Sequence, residues 1–440
     1  MQVEEKKDVI VVGAGLAGLI SALTLQKSGY SVVLIDRRAQ VGGLCGTFEM
    51  EGHEFVIACN DFGSGLVKLL SELGVEQQFE YKKSSIYYKG TFFNAAPNLK
   101  MLSQLRSEWK NVVSLIGGIL AQQLPGRPAL SIEEFADRYT SPGVVNDLTK
   151  IIAYFMGVAP YDINTSYFGL DGKFGYGYTK MACPKGGPQT LSNAIAQAFI
   201  KQGGKLLLNT SYRGHSKRVN RFYIALSSQN EQMTMQSDYL VDTTEYVQGY
   251  SPETKRGLPL SMMCLAVNNK FIYPENTHTL SYYQPGVSQW FRMLDMGRQP
   301  AEFGFHVFKS DLNSSNTDTD TFNENTYTLN VYFYLPRNTN QLDENQRDFY
   351  RQYLLEKIEL MLPGITEHIF YSRIITPEDF KTIHGLSSRV MPFISFGRKP
   401  NNNIDGSGYF KAGHTVFPPG EHAGAAALSG YLVAKLIMNS

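Results

Sequence analysis

Residues 8–18 read DVIVVGAGLAG, an apolar run that leads directly into three closely spaced glycines. The run has the length and the β-branched content of a buried parallel strand. The glycines permit a tight turn, a close approach of the backbone to a pyrophosphate, and close packing of helix on strand. Residues 19–28 then supply a helix whose N-terminus faces the phosphates. The stretch therefore predicts a dinucleotide-binding unit.

A carboxylate follows at the position that this unit requires. The apolar run VVLI at residues 32–35 predicts a second strand, which ends at Asp36, 18 residues after Gly18. At that point a carboxylate can accept hydrogen bonds from the hydroxyls of an adenosine ribose. Because strand, glycines, helix, strand and acid occur in the required order, we predict that the chain binds a dinucleotide.

Two further glycine-containing segments indicate which dinucleotide is bound. Residues 41–48, VGGLCGTF, follow the second strand, and their glycine pair lets the backbone lie against another part of an extended cofactor. Residues 184–191, PKGGPQTL, precede a predicted helix and a strand at residues 205–208. Both segments resemble the amine oxidase and phytoene desaturase superfamily of flavin oxidoreductases, which includes the protoporphyrinogen oxidases. The resemblance implies FAD as the cofactor.

The C-terminal region resembles the same superfamily. Residues 410–415, FKAGHT, and residues 419–430, PGEHAGAAALSG, match the motif in which a strand ends near the flavin and a helix of small residues begins beneath its ring. The N-terminal amides of such a helix can stabilise negative charge on reduced flavin. The resemblance covers residues 8–75, 184–245 and 385–440.

This resemblance implies an α/β fold with two domains. One is a Rossmann-like FAD-binding domain of the GR2-type flavoproteins, and the other is a discontinuous substrate domain of antiparallel sheet plus helices. The alternating pattern at residues 260–267, 279–283, 302–308 and 327–334 predicts the strands of that sheet, with a lining rich in Tyr, Phe and Met. We assign residues 1–90, 184–250 and 376–440 to the FAD-binding domain and residues 91–183 and 251–375 to the substrate-binding domain.

The resemblance implies a set of residues that hold FAD without a covalent bond. They are Gly13, Gly15, Leu16, Ala17, Gly18, Asp36, Arg37, Gly42, Gly43, Leu44, Gly413, His414, Gly420, Ala423 and Gly424. The catalytic candidates are His414, Tyr283 and Arg389, with His384 as a further pocket residue. His414 stands where many relatives carry an acid, and it can bond the cofactor, act as an acid or base, or only hold its loop. For the others, ordinary packing or a surface position is the favoured alternative.

Three classes of function are compatible with these motifs. The leading one is an FAD-dependent oxidoreductase that removes hydride from a C–N or C–C bond of an apolar or aromatic small molecule, as in secondary metabolism. A flavin-dependent isomerase or mutase is the alternative, and a binding protein that uses no flavin is disfavoured by the intact glycines and Asp36. Aligning the strand at residues 260–267 on the amine oxidases puts Met262 or Met263 in place of their usual lysine, which argues against ordinary amine oxidation.

Composition is that of a sizeable enzyme. The chain has 440 residues with 43% hydrophobic content, and its net charge of +1 with no dense basic run gives no case for nucleic acid. Four cysteines without metal spacing predict reduced thiols, no metal and a cytoplasmic location. Residues 109–124 are apolar enough to lie on a membrane surface, but a core-packing helix of the substrate domain is the favoured prediction. The oligomeric state is left open.

Overall fold

The computed structural model describes residues 6–59, 61–96, 98–169, 173–176, 181–228, 231–310, 312, 326–385, 393–394, 399–420 and 423–440. The strands are β1 (Lys7–Val12), β2 (Val32–Ile35), β3 (Thr47–Met50), β4 (His53–Val56), β5 (Phe79–Tyr88), β6 (Thr91–Asn94), β7 (Met181–Pro184), β8 (Lys205–Leu207), β9 (Ser211–Arg218), β10 (Arg221–Ser228), β11 (Glu231–Asp242), β12 (Leu260–Asn268), β13 (Thr277–Tyr282), β14 (Phe305–Phe308), β15 (Thr326–Tyr334), β16 (Ile369–Ile375) and β17 (Tyr409–Lys411). The helices are α1 (Leu16–Lys27), α2 (Ser64–Glu72), α3 (Leu99–Gln104), α4 (Trp109–Gln122), α5 (Ile132–Tyr139), α6 (Val144–Phe155), α7 (Gly187–Lys201), α8 (Val287–Asp295), α9 (Glu344–Met361), α10 (Pro377–His384) and α11 (Ala423–Met438).

The first sheet, called here the nucleotide sheet, has the strand order β8-β2-β1-β11-β10-β9, with β17 paired to the end of β11. Strands β8, β2, β1, β11 and β17 run parallel to one another, whereas β10 is antiparallel to both β11 and β9. The carboxyl ends of the parallel strands therefore meet at one edge, which is where open α/β sheets bind ligands. This arrangement confirms the predicted Rossmann-like unit and brings both ends of the chain to that edge.

Helices α1 and α11 pack on each other at this edge because small residues face the contact. A Cβ atom at Gly430 would lie 2.1 Å from the carbonyl oxygen of Ala17, a distance that no side chain permits. A Cβ atom at Gly18 would lie 1.9 Å from the carbonyl oxygen of Gly13. Glycine at these two positions therefore fixes how closely the N-terminal turn and the C-terminal helix approach α1.

The second sheet has the strand order β16-β12-β15-β14-β13-β5-β6, with β7 paired to β5. The four predicted strands are confirmed as β12, β13, β14 and β15, which pair in antiparallel fashion as β12–β15–β14–β13. Strand β5 joins β13 in parallel, a pairing that no local sequence pattern indicates. Residues 79–88 thus lie in this second sheet, although they fall within residues 1–90 that are assigned to the FAD-binding domain. The division into domains stays a prediction.

Helix α4 forms where predicted, and one side of it packs against the core through Val112 and Leu115. Gly118 is its one buried residue, whereas Trp109, Val113 and Ile116 are 59%, 55% and 52% exposed. The helix therefore carries apolar side chains on its exposed side as well as on the side that faces the core. Among the described helices, none combines the length and the apolar character that a membrane-spanning segment requires.

Candidate functional site

A cavity of about 1410 Å³ connects the nucleotide sheet with the second sheet. Gly13, Gly15 and Asp36 line one end of it. Phe308 and Tyr332 of the second sheet line another part, as the predicted aromatic lining requires. The cavity is therefore continuous from the predicted dinucleotide site to a region that has no part in nucleotide binding.

The two glycine turns lie directly against each other at the nucleotide end. The amide of Gly42 donates to the carbonyl of Ala14 at 2.8 Å, and Gly15 and Gly42 form a parallel bridge. Gly42 and Gly43 have φ angles of +112° and +58°, in the region that favours glycine. A Cβ at Gly43 would lie 3.2 Å from the Cα of Gly15, so bulk here would push the turns apart.

The N-terminus of α1 presents backbone amides to the cavity. Its N-cap residue is Gly15, which has no side chain to accept their hydrogen bonds, and the first turn carries no acidic residue. Gly15, Leu16 and Ala17 all line the cavity. Unpaired amides and the positive end of the helix dipole together form a site for an anion such as a pyrophosphate.

Asp36 lies beside these turns at the end of β2. Its Oδ2 accepts a hydrogen bond from the amide of Ala14 at 2.7 Å, and its Oδ1 accepts one from the amide of Arg38 at 2.8 Å. Each carboxylate oxygen has a second lone pair, so both retain an acceptor position. Asp36, Arg37 and Leu44 line the cavity, where the carboxylate can accept bonds from ribose hydroxyls.

The loop between β17 and α11 closes the opposite side of this end. Gly413 and His414 line the cavity. The Nζ of Lys399 donates to the carbonyls of His414 and Gly420, the latter at 2.6 Å, and the hydroxyl of Ser429 accepts from the amide of Gly413 at 3.1 Å. These bonds fix the loop without any contribution from the His414 ring.

The imidazole of His414 is neutral at pH 7. Burial and the neighbouring Lys399 cation lower its pKa to about 4. Its Nε2 atom is buried and has no hydrogen-bond partner among the described residues. A buried polar atom without a partner is costly, and a ligand in the cavity can supply that partner.

The remaining residues predicted to bind the cofactor do not all line the cavity. Ala423 lines the cavity, whereas Gly420 and Gly424 are not among its lining residues, and Gly18 packs against the Gly13 turn. Gly420 instead gives its carbonyl to Lys399. The nucleotide end thus combines two glycine turns, a helix N-terminus, a carboxylate and an unpaired imidazole, and this set fits a dinucleotide cofactor.

Among the described catalytic candidates, Tyr283 does not line this cavity. Tyr283 is fully buried and donates to the carbonyl of Asp147 at 2.6 Å, outside the cavity lining. Arg389 lies outside the described residues. His384 contacts the ring of Phe48 at 4.7 Å, and burial together with the Arg38 cation lowers its pKa to about 4. Of the candidates that the structure describes, His414 is the one that lines the cavity.

Met262 and Met263 also lie away from the cavity. Both are fully buried in β12, of which only Leu260 contributes to the lining. The amide nitrogen of Asn330 contacts the sulfur of Met262 at 2.9 Å. The two methionines that align with the usual lysine of the amine oxidases are therefore core residues in this chain and do not line the cavity.

Sequence reasoning missed several residues that line the cavity. Residues 210–213 follow β8, which lies parallel beside β2, so their position at the same edge could have been found from strand order. The position of His306 in the lining could not have been found from the sequence, because it depends on how distant segments pack. Its Nδ1 lies 2.8 Å from the hydroxyl of Ser281, and burial, opposed by the Tyr154 carbonyl, lowers its pKa to about 3.

The far end of the cavity, called here the apolar chamber, is lined by helices α3 to α6. Its apolar lining side chains are Met101, Leu102, Leu105, Val112, Leu115, Ile116, Ile119, Phe135, Val145, Leu148, Ile151, Ile152 and Phe155, and Thr149 of α6 adds a hydroxyl group. The described carboxylates that line the cavity are those of Asp36, Asp61 and Glu245, none of which belongs to these helices. The chamber therefore offers dispersion contacts and no charge to balance a cation.

Comparison with known proteins places these features among oxidoreductases. Residues 11–62 match the family model of an NAD(P)-binding Rossmann-like domain. The chain is 22% identical to the 4,4'-diaponeurosporene oxygenase of Staphylococcus haemolyticus, over 91% of this chain and 89% of that protein. It is 21% identical to a 4,4'-diapophytoene desaturase of a Methylomonas species, over 86% and 83%. A putrescine oxidase structure superposes with a TM-score of 0.67 at 14% identity, covering all of both chains.

The chain resembles the phytoene desaturases and amine oxidases along most of its length. These relatives confirm the predicted resemblance, the α/β fold with a Rossmann-like unit, and the oxidoreductase class. None of the three named relatives is an isomerase or a mutase. A flavin or nucleotide cofactor and a small-molecule substrate follow from the same comparisons.

Proposed function

We propose that this chain is an FAD-dependent oxidoreductase that removes hydride from a carbon atom of an uncharged, apolar small molecule. The observation that carries the proposal is the continuous cavity, which joins a dinucleotide site to the apolar chamber. A nicotinamide dehydrogenase that uses a soluble polar substrate has no need of such a chamber.

The residues at the nucleotide end account for binding of FAD without a covalent bond. The amides of Gly15, Leu16 and Ala17 would hold the pyrophosphate, and Asp36 would accept bonds from the ribose. The segment Gly413–His414 would lie beside the isoalloxazine ring, with the unpaired Nε2 of His414 as a hydrogen-bond partner. These roles use the lone pairs, amides and unfilled space that the structure shows.

FAD, when bound, supplies the electron acceptor for hydride transfer. The chain has to orient the substrate and exclude water, which the aliphatic side chains of the apolar chamber do. Because His414 and His306 are neutral near pH 7, each can hold a hydrogen bond at the cavity wall without adding charge.

The lining of the apolar chamber also favours a C–C bond over a C–N bond as the bond that is oxidised. An alkyl amine is a cation at neutral pH, and a cation in the apolar chamber would lack a carboxylate partner among the described residues of α3 to α6. An uncharged chain with conjugated or allylic carbons fits the same lining. We therefore favour dehydrogenation of a C–C bond.

Anaerobic mixing of the FAD-loaded protein with two sets of compounds tests this proposal. Conjugated polyenes and other uncharged apolar compounds should bleach the visible flavin band in a single turnover, whereas alkyl amines of matched length should not. Free FAD with the same compounds is the control. Bleaching by amines alone would overturn the choice of substrate, and a flavin that no compound of either set reduces would overturn the proposed function.

A further inference from the structure

Helices α3 and α4, together with Leu124 just after α4, expose a set of large apolar side chains, called here the α3–α4 surface. Its members and their exposed fractions are Leu99 (85%), Leu102 (47%), Trp109 (59%), Val113 (55%), Ile116 (52%), Leu120 (60%) and Leu124 (56%). On α4 they recur at intervals of three and four residues, so they share one face of the helix. An exposed apolar face of this kind marks an interaction site.

The segment of the chain that forms this surface is rich in basic residues. Residues 89–131 contain five basic residues, Lys89, Lys100, Arg106, Lys110 and Arg127, and one acidic residue, Glu108, although the whole chain has a net charge of +1. The carboxylate of Glu108 accepts bonds from the amides of Val144 and Val145 at 2.8 and 3.1 Å. That carboxylate is thus directed at the N-terminus of α6, and the other ionisable side chains of residues 89–131 are basic.

The cavity reaches the protein surface within the same patch. Leu102 and Ile116 line the cavity and are also 47% and 52% exposed. Val112 and Ile119, on the inner side of α4, line the cavity behind them. A molecule that enters the apolar chamber at this point passes between side chains that already face outward.

We propose that the α3–α4 surface docks on an anionic lipid bilayer and that the apolar substrate enters the cavity from that bilayer. An amphipathic helix lying in the interface buries apolar side chains among acyl chains while Lys and Arg contact the headgroups. A second copy of this chain is a poorer occupant, because a two-fold contact through this segment would bring two sets of five basic residues together with only one acidic residue in each. The route of the substrate rests on the proposed function, whereas the docking does not.

Sedimentation of the full chain with lipid vesicles tests the docking. The protein should sediment with vesicles of phosphatidylcholine and phosphatidylglycerol, and about tenfold less with phosphatidylcholine alone, since each basic residue adds to the attraction. The variant Val113→Glu/Leu120→Glu should lose about tenfold in vesicle binding, because neither side chain lines the cavity and both would carry charge into the interface. The matched control is Val219→Glu/Ile272→Glu, at side chains that are 94% and 83% exposed elsewhere in the fold.

Absence of binding to the anionic vesicles, or equal binding by the two variants, would overturn the proposal. Light scattering without lipid that shows a dimer dissolved by Val113→Glu/Leu120→Glu would also overturn it, in favour of a second copy. The flavin content and the reduction of the flavin by substrate in detergent should be unchanged in that variant, while reduction by vesicle-borne substrate slows. Vesicle binding by a protein without flavin would leave the docking intact and contradict the proposed function.

Discussion

A single missing side chain, that of Gly15, decides what the nucleotide end can hold. A Cβ atom there would find its nearest neighbour, the Cα of Gly43, at 4.0 Å, so the protein itself tolerates an alanine. The space that it would enter is the cavity in front of the α1 amides. Gly15 and Asp36 could be predicted from sequence because their function depends on local chain order. Tyr283 could not be excluded from sequence, since its bond to Asp147 joins distant segments.

We expect Gly15→Ala to fold normally and to bind FAD at least about tenfold more weakly, a loss of about 1.4 kcal/mol. The added methyl group would occupy the path of the pyrophosphate. Fluorescence titration with FAD measures the affinity, and thermal unfolding of the protein without FAD checks the fold. Gly117→Ala, at a helical glycine with open space around it, is the control. An unchanged affinity in Gly15→Ala would contradict the assignment.

The lowered pKa of the buried His384 predicts how the stability of the folded protein depends on pH. The pKa of His384 is lowered to about 4 by burial and by the Arg38 cation, so between about pH 6.5 and 4 the unfolded chain binds a proton that the folded chain does not. This contribution to stability is present above pH 6.5 and is lost as the pH falls toward 4. His384→Gln should therefore show a smaller fall in Tm between pH 7 and pH 5 than the wild type. An equal fall in both proteins would refute the assignment of this effect to His384.

Among the elements, the parallel pair β11–β17 joins the C-terminal segment to the nucleotide sheet. Lys411 and Asp242 form a buried ion pair at 2.9 Å across it, and the Tyr409 hydroxyl donates to the same carboxylate oxygen at 3.0 Å. The C-terminal motif predicts the strand that contains residue 411 but not its pairing with β11, since residues 242 and 411 are remote in the chain. Helix α4 shows another limit of prediction from sequence. Its apolar content predicts that the helix is buried, but it does not say which faces of the helix contact the rest of the protein.

Lys411→Met should lower the free energy of unfolding by about 3–5 kcal/mol, because it leaves the carboxylate of Asp242 buried without its cation. Lys68→Met is the matched control, since it breaks an exposed pair with Glu72 and should cost less than about 1 kcal/mol. Urea denaturation monitored by circular dichroism measures both values. Equal losses in the two variants would show that the buried pair has no special role.

At the scale of the whole molecule, the fold brings two distant ends of the chain and a second sheet around one cavity. The glycine turn near residue 15 and the loop near residue 414 meet because β1, β11 and β17 are adjacent in the nucleotide sheet. The sequence predicts this meeting only through the family resemblance, whereas the apolar chamber needs the packing of α3 to α6 against the second sheet. The central claim is that this cavity holds FAD without a covalent bond.

Acid precipitation of the purified protein, followed by chromatography of the supernatant, tests that claim most directly. Denaturation destroys the glycine turns and the loop around His414, so a cofactor held only by them must leave the polypeptide. We expect one FAD per chain in the supernatant and no flavin in the pellet. A colourless protein that gains no flavin spectrum after reconstitution with FAD, or a flavin that stays with the pellet, would contradict the claim.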